Sequence, residues 1–412
     1  MAQSRPPARG FFTYPWHLLH EPVHTTLALM RDRYLCDAIA VAGSYHSGTF
    51  LTPRLPHSLI SQRQNAMITF QPDLALYAPE GPWPLVDATT ADEGVLDQVR
   101  LACEQLQMQM NIWLVVLHSS ALGQAHSDLC QQNLVGDHYS YSLCPAFDRV
   151  RAYAVGLVRD VCAQYHPHTL LLESASFMPA LHGGHHEIAL LPLNSLAQWL
   201  LSLCFCPACQ ERAAAAHVDV EQVQGDARRL LHELLDEEAS GTPPTLRWDD
   251  VSGILVEYPG LQAYADVRIA TVMSLLSELS QAANRYGTRV EVIPNTGVRP
   301  VARSWMLGVS LSGLRDAADG AMVLGYYPDA ADVEAELRTL RLLADGLPFS
   351  VALNVGHTQT ATASALTARA LVSARAGARG LFYYNWSLLS ERRLAWVREA
   401  NQAVLDLGSV TP

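Results

Sequence analysis

The segment LLLESASFMPALHGGHHE, residues 170–187, sets one carboxylate directly after three leucines and a second behind three histidines. A glutamate that ends an apolar strand is close to desolvated, which disfavours its charged form and keeps a proton available for a leaving-group oxygen. Glu173 is thus the first candidate for a general acid. Glu187, closing HGGHHE, is the nearest second carboxylate by loop position and is placed to activate water across a bound substrate. His182, His185 and His186 suggest a different chemistry, in which imidazoles and a glutamate hold a divalent metal with an open position for substrate. The run lacks the helical HExxH spacing, however, and its glycines point to a loop approaching a ligand closely. Imidazoles contacting substrate hydroxyls or carrying protons are the simpler reading.

A second cluster reads as structural. CFCPAC sets Cys204, Cys206 and Cys209 within six residues, and its Cys-x-x-Cys half turns two thiolates toward one ion. Tetrahedral zinc needs a fourth ligand. Cys144, in SLCP, is the candidate because Pro145 sets a turn beside it; Cys162, near a helix end, fits core packing better. The alternative is that all of these are reduced cysteines acting as small apolar groups. A four-cysteine zinc site is coordinatively closed and activates no water. No organic cofactor is expected.

These groups need a scaffold. Eight short apolar runs alternate with segments of helical period: GFFTY (10–14), DAIAVA (37–42), IWLVVLHS (112–119), TLLLE (169–173), RVEVIP (289–294), AMVLGYY (321–327), SVALN (350–354) and GLFYYN (380–385). That alternation predicts an α/β fold, a single (β/α)8 TIM barrel over residues 1–412, with long insertions at 45–92 after the second strand and 174–260 after the fourth. ILVEY (254–258) has strand periodicity, but Pro259 follows it and eight strands already close a barrel, so it is assigned to a helix end or loop. Glu257 is then a weak candidate carboxylate. The strand ends would gather Tyr45, His46, His118, Asn295, Tyr326, Tyr327, Asn354, His357, Asn385 and Trp386 around Glu173. Such groups hydrogen-bond hydroxyls, and Trp386 offers a stacking platform for a sugar ring.

The 412 residues are 49% hydrophobic and 17% charged, with a net charge of −12. That sign gives no electrostatic reason to bind nucleic acid or an anionic membrane, and a small neutral ligand fits better. No run approaches the roughly 18 apolar residues of a membrane helix and no secretory signal opens the chain, so a cytoplasmic location is expected.

The order of Cys144-Pro145, the helix RVRAYAVGLVRDV, a strand ending in Glu173, and then CFCPAC resembles the barrel of family-42 β-galactosidases and other clan A glycoside hydrolases. The resemblance is specific over about residues 140–212. It implies a structural zinc on Cys144, Cys204, Cys206 and Cys209, and Glu173 as acid/base. The sequence departs from the clan in two places: Leu172 stands where an asparagine precedes the acid/base, and Asn354 stands where the strand-seven nucleophile is expected. The whole chain looks closer to a group of bacterial glycoside-hydrolase-like barrels with a tyrosine-histidine after the second strand (SYHSG) and a histidine-rich loop after the fourth. The expectation is an atypical glycosidase acting on a carbohydrate. A metal-dependent sugar isomerase or lyase using the histidine loop, and a carbohydrate-binding pseudoenzyme, are the alternatives.

Overall fold

The computed structural model describes residues 6–55, 59–63, 67–181, 193–239, 251–294, 300–356 and 360–409. Eight strands form the barrel: β1 Ala8–Thr13, β2 Ala38–Tyr45, β3 Gln109–Val115, β4 Thr169–Glu173, β5 Arg289–Val292, β6 Gly320–Leu324, β7 Phe349–Asn354 and β8 Gly380–Tyr384. All pair in parallel with their sequence neighbours, and β8 returns to β1 (Phe11 opposite Tyr383), so no edge is left open. The ILVE of the ILVEY run lies in a helix, Val251–Glu257, with Tyr258 just beyond its end, and Glu257 is exposed.

The strands are apolar throughout because both of their faces are buried. Outward side chains such as Ile39, Ile112, Leu172, Val290, Val351 and Leu381 pack under the helices. Inward ones, among them Phe12, Ala40, Trp113, Leu171, Met322, Ala352 and Phe382, fill the barrel. Large rings on one strand face alanines on the next, which is how a narrow barrel is filled without overpacking. Gly10 belongs to this fit, because a Cβ there would stand 2.4 Å from the Ala38 carbonyl oxygen.

The crossover helices follow the expected order: α1 Val23–Tyr34, α2 Val95–Leu106, α3 Asp148–Tyr165, α4 Pro259–Asn284, α5 Leu314–Ala317, α6 Ala330–Leu343, α7 Ala363–Arg375 and α8 Glu391–Ser409. Cys162 is fully buried on α3, as core packing predicts. Between β2 and α2 an antiparallel hairpin, 48–51 with 60–63, rises beside the mouth, and Met67–Ile68 adds antiparallel to the end of β2. Between β4 and α4, the helices Ser195–Leu201, Pro207–Ala215 and Val220–Ala239 build a satellite core around Trp199, Phe205 and Tyr264.

The floor of the barrel holds one unexpected acid. Glu291 of β5 is 5% exposed and accepts a 3.0 Å hydrogen bond from the Ser350 hydroxyl. Burial pushes its carboxyl up to about 7, against the opposing pull of Ser350, Arg289 and Arg379. A carboxyl raised in the folded state binds more protons folded than unfolded, so stability falls as pH rises from about 4.5 through 7. Glu291→Gln is expected to be more stable than wild type at pH 8 by up to about 3 kcal/mol, and no different at pH 4. Urea unfolding at both pH values measures this.

Candidate active site at the mouth of the barrel

Glu173 is the last residue of β4, and the pleat decides its direction. Leu172 points outward into the helix layer while Leu171 and Glu173 point inward. Trp113, two positions back on the adjacent β3, also points inward, and its indole Nε1 donates a 2.7 Å hydrogen bond to Glu173 Oε2. Part of Glu173 stays accessible from the mouth, yet burial dominates and pushes the carboxyl up to about 7, with the Trp113 hydrogen bond pulling the other way. Among the described residues, no cation or second carboxylate contributes to that shift. A substantial share of the carboxyl therefore keeps its proton near neutral pH, where an ordinary glutamate has lost it. Ser174 follows with φ +53°, a left-handed conformation that costs a non-glycine residue about 1 kcal/mol or more and turns the chain sharply out of the barrel.

Three tyrosines, Tyr45, Tyr326 and Tyr384, lie near this carboxyl, and Tyr14 joins two of them. Tyr14 follows β1, Tyr45 ends β2, Tyr384 ends β8 and Tyr326 follows β6. The Tyr14 hydroxyl donates to that of Tyr45 (3.1 Å) and also hydrogen-bonds to that of Tyr384, while Tyr45 and Tyr384 are 3.4 Å apart. Burial first, then the neighbouring phenols and Glu173, hold Tyr45 well above the usual phenol range; for Tyr326 and Tyr384 the direction and the involvement of Glu173 are the same. These groups are therefore hydrogen-bond donors, never phenolates, at neutral pH. Beside them His46 stacks on Tyr45 (4.1 Å between centroids) and on His118 (4.6 Å), lining up the ends of β2 and β3.

Other candidates face elsewhere. Asn354 turns its Oδ1 to the backbone N–H of Gly356 (2.7 Å), capping the end of β7, so no carboxylate stands there. Asn385 is 1% exposed, and its Oδ1 accepts from the N–H (3.3 Å) and hydroxyl (3.2 Å) of Ser387. Trp386 sits in the outer layer against Phe11 and Tyr34, with the Arg54 guanidinium 4.4 Å from its ring centre, and is not brought to Glu173. The Tyr327 ring packs against the outer core. His182, His185, His186, Glu187, Asn295 and His357 lie outside the described residues.

A cavity of about 300 Å³ opens beside Tyr45 and His46 under the hairpin. A larger one, about 750 Å³, lies at the opposite, amino-terminal end of the barrel, near His166, His168 and Arg289. It is remote from the strand ends that carry chemistry in this fold.

The four cysteines meet. Cys144 Sγ lies 3.5 Å from the sulfurs of Cys206 and Cys209 and 3.7 Å from that of Cys204, and all four sulfurs fall within 4.8 Å of one another. A tetrahedral metal with sulfurs at about 2.3 Å spaces its ligands about 3.8 Å apart, so the set fits a metal ion with little rearrangement. Cys206 caps the helix Pro207–Ala215, whose N-terminus favours negative sulfur, and the Gln132 N–H donates to Cys204 Sγ (3.3 Å). Among the described residues no other group of three or more histidines, cysteines and carboxylates is poised for a metal.

No protein-family model matches the sequence, and none of the curated proteins does. Solved structures do match. The β-galactosidase of the haloarchaeon Halorubrum lacusprofundi superposes with a TM-score of 0.59 at 13% identity, over 97% of this chain and 58% of that one. The α-L-fucosidase isoenzyme 2 of Paenibacillus thiaminolyticus gives 0.55 at 12%, over 97% and 49%. The PgaB (BpsB) glycoside hydrolase domain of Bordetella bronchiseptica gives 0.52 at 14%, over 99% and 100%. The likeness is one of fold. This chain is a (β/α)8 barrel of the kind these glycoside hydrolases are built on, and it spans about half to three fifths of the fucosidase and the galactosidase. Among the described residues, no helix is long and apolar enough to cross a membrane.

Sequence reasoning missed Trp113, Tyr14 and Tyr384, all of which stand on or just after the assigned strands. The available signal was register: with Glu173 taken as inward, strand pairing sets Trp113 opposite Leu171 on the same face.

Proposed function

We propose that the protein is a glycoside hydrolase in which Glu173 is the general acid. The observation that carries this reading is the placement of the Glu173 carboxyl at the end of β4, hydrogen-bonded by Trp113, raised by burial to about 7 and neighboured by Tyr45, Tyr326 and Tyr384. In the proposed reaction Glu173 gives its proton to the glycosidic oxygen as the bond from that oxygen to the anomeric carbon breaks. Water adds to the anomeric carbon and surrenders a proton to a base, for which Glu187 is the candidate. Separation of the two carboxyls by a water would make the reaction inverting. Tyr45, Tyr326 and Tyr384 would orient the sugar hydroxyls, with His46, His118, His182, His185 and His186 as further contacts. Asn295, Asn354 and Asn385 would shape the mouth rather than react.

The cysteine site we assign to zinc. When bound there, zinc supplies a closed cross-link and no reactive water. Cys144, on the segment leading into α3, is tied through it to the insertion that follows β4, on the side of the barrel from which Glu173 projects.

Screening 4-nitrophenyl glycosides of differing sugar and anomeric configuration tests the reading, since release of nitrophenol from at least one is expected. Tyr384→Phe, which removes one hydroxyl and keeps the ring, is expected to lower kcat/KM about 10- to 100-fold while leaving the pH profile in place. An unchanged kcat/KM would remove Tyr384 from the site.

A further inference from the structure

The cavity of about 750 Å³ at the amino-terminal end of the barrel is walled by three consecutive turns from helix to strand. Met108, Gln109 and Met110 make the step from α2 to β3, His166 and His168 flank Pro167 between α3 and β4, and Tyr286 precedes β5, which opens with Arg289. Strand pairing sets Arg289 beside the histidine turn, because its N–H donates to the His168 carbonyl (3.4 Å) where β5 meets β4. His166 caps α3 with φ +44°, a left-handed bend, and its side chain is exposed on the cavity wall.

Acids do not balance this wall. Among the described residues that line it, Glu104 carries the only carboxylate, and Arg100 holds that at 2.8 Å. Arg289 is half-buried, yet among the described residues its guanidinium makes no hydrogen bond or ion pair. The next acid on its strand face, Glu291, turns to Ser350 across the barrel floor. Half-buried arginines elsewhere are matched: Arg54, Arg63 and Arg212 meet Glu391, Asp87 and Asp148. A partly buried cation without a partner has lost solvation and gained no ion pair in return, so an anion in the space it faces is favoured. In a chain whose net charge is −12, the cavity is a local excess of positive charge.

The donors suit one kind of anion. Arg289 offers a planar fork of N–H groups, His166 a ring nitrogen and Gln109 an amide, so oxygens are wanted in several directions. A phosphate monoester has three terminal oxygens and roughly 1.5 to 2 negative charges near neutral pH, where a carboxylate has two oxygens and one charge. Met108, Met110 and Tyr286 add apolar surface, and the volume is that of a site for an organic molecule rather than a bare ion. We infer that this cavity binds a small organic phosphate, with Arg289, His166 and Gln109 on the phosphate and the methionines and Tyr286 against an apolar or aromatic remainder. The site lies at the opposite end of the strands from Glu173 and is independent of the glycosidase reading.

The test is isothermal titration of the full-length protein with phenyl phosphate, inorganic phosphate and benzoate at matched ionic strength. Phenyl phosphate is expected to saturate one site per chain and to bind about tenfold or more tighter than either of the others, since only it carries both the phosphate and a ring. Arg289→Gln, which keeps an amide and removes the charge, is expected to weaken phenyl phosphate about tenfold or more. His166→Asn, on the exposed turn and tolerant of the left-handed bend, should weaken it about threefold or more and reaches the same wall should Arg289→Gln fail to fold. Tyr384→Phe, at the far end of the barrel, should leave phenyl phosphate affinity unchanged. No saturable binding below about 10 mM, benzoate binding as tightly as phenyl phosphate, or an affinity unmoved by both cavity substitutions overturns the inference. Binding lost in Tyr384→Phe and kept in Arg289→Gln would put the phosphate at the mouth, and overturns it equally.

Discussion

Glu173→Gln is expected to lower turnover of a glycoside with a poor leaving group by about a thousandfold or more, the scale on which removal of a positioned proton donor acts. The substitution preserves volume and keeps an acceptor for the Trp113 N–H, so lost activity would not reflect lost packing. The pH dependence follows from the raised carboxyl. A general acid must hold its proton, so wild-type activity should fall about tenfold per pH unit above pH 7, where Glu173 ionises. The stability linkage has the same origin and the opposite benefit. The folded protein keeps the Glu173 proton to about pH 7 while the unfolded chain releases it near 4.5, so wild type loses stability as pH rises between those values. Glu173→Gln escapes that loss and should exceed wild type by up to about 3 kcal/mol at pH 8, measured by urea unfolding. A variant less active and more stable, with the stability gain confined to high pH, separates a functional acid from a structural one. Glu291→Gln, at the other end of the barrel, should share the stability gain and keep full activity.

Metal removal should be the largest perturbation of the fold. The cysteine cluster joins the Cys144 turn before α3 to the segment that opens the satellite core of Trp199, Phe205 and Tyr264. Without an ion, four buried thiols must sit at van der Waals contact with few hydrogen-bond partners. Metal analysis is expected to give about one zinc per chain, with four thiols becoming titratable on its removal. Cys206→Ser should lose the zinc and lower Tm by about 10 °C or more, consistent with the several kcal/mol a structural site contributes to folding. Cys162→Ser, in the core away from the cluster, should retain the zinc. Full zinc occupancy in Cys206→Ser would contradict the assignment.

The barrel was legible because its strands are buried on both faces and so read as continuous apolar runs, each followed by a helical stripe. The same continuity hid part of the site. In IWLVVLHS no alternation marks which side chains point inward, so Trp113 was indistinguishable from Ile112 until pairing with β4 fixed the register. FYYN poses the same problem within two identical letters. Tyr383 points outward and donates its hydroxyl to Asn401 Oδ1 (2.8 Å), whereas Tyr384 points into the mouth. Beyond the strand, the short helical turn of Trp386–Leu388 carries the tryptophan ring to the outer layer, so position near a strand end does not guarantee a place in the site. The cysteine cluster was easier. Three of its four members are local in sequence and Cys144-Pro145 supplied the fourth, because a set of residues that could hold a metal is constrained in type more tightly than a sugar pocket is.

The measurement that bears most directly on Glu173 is the leaving-group dependence of kcat/KM, taken in wild type and Glu173→Gln with a series of aryl glycosides from 2,4-dinitrophenyl to unsubstituted phenyl. A leaving group that departs as a stable anion needs no proton, and a poor one does. If Glu173 is the general acid, the variant should cleave the dinitrophenyl glycoside at close to the wild-type rate and lose about a thousandfold on the phenyl glycoside. An equal loss across the whole series would contradict that assignment, and would make Glu173 a group that holds the substrate rather than one that protonates it.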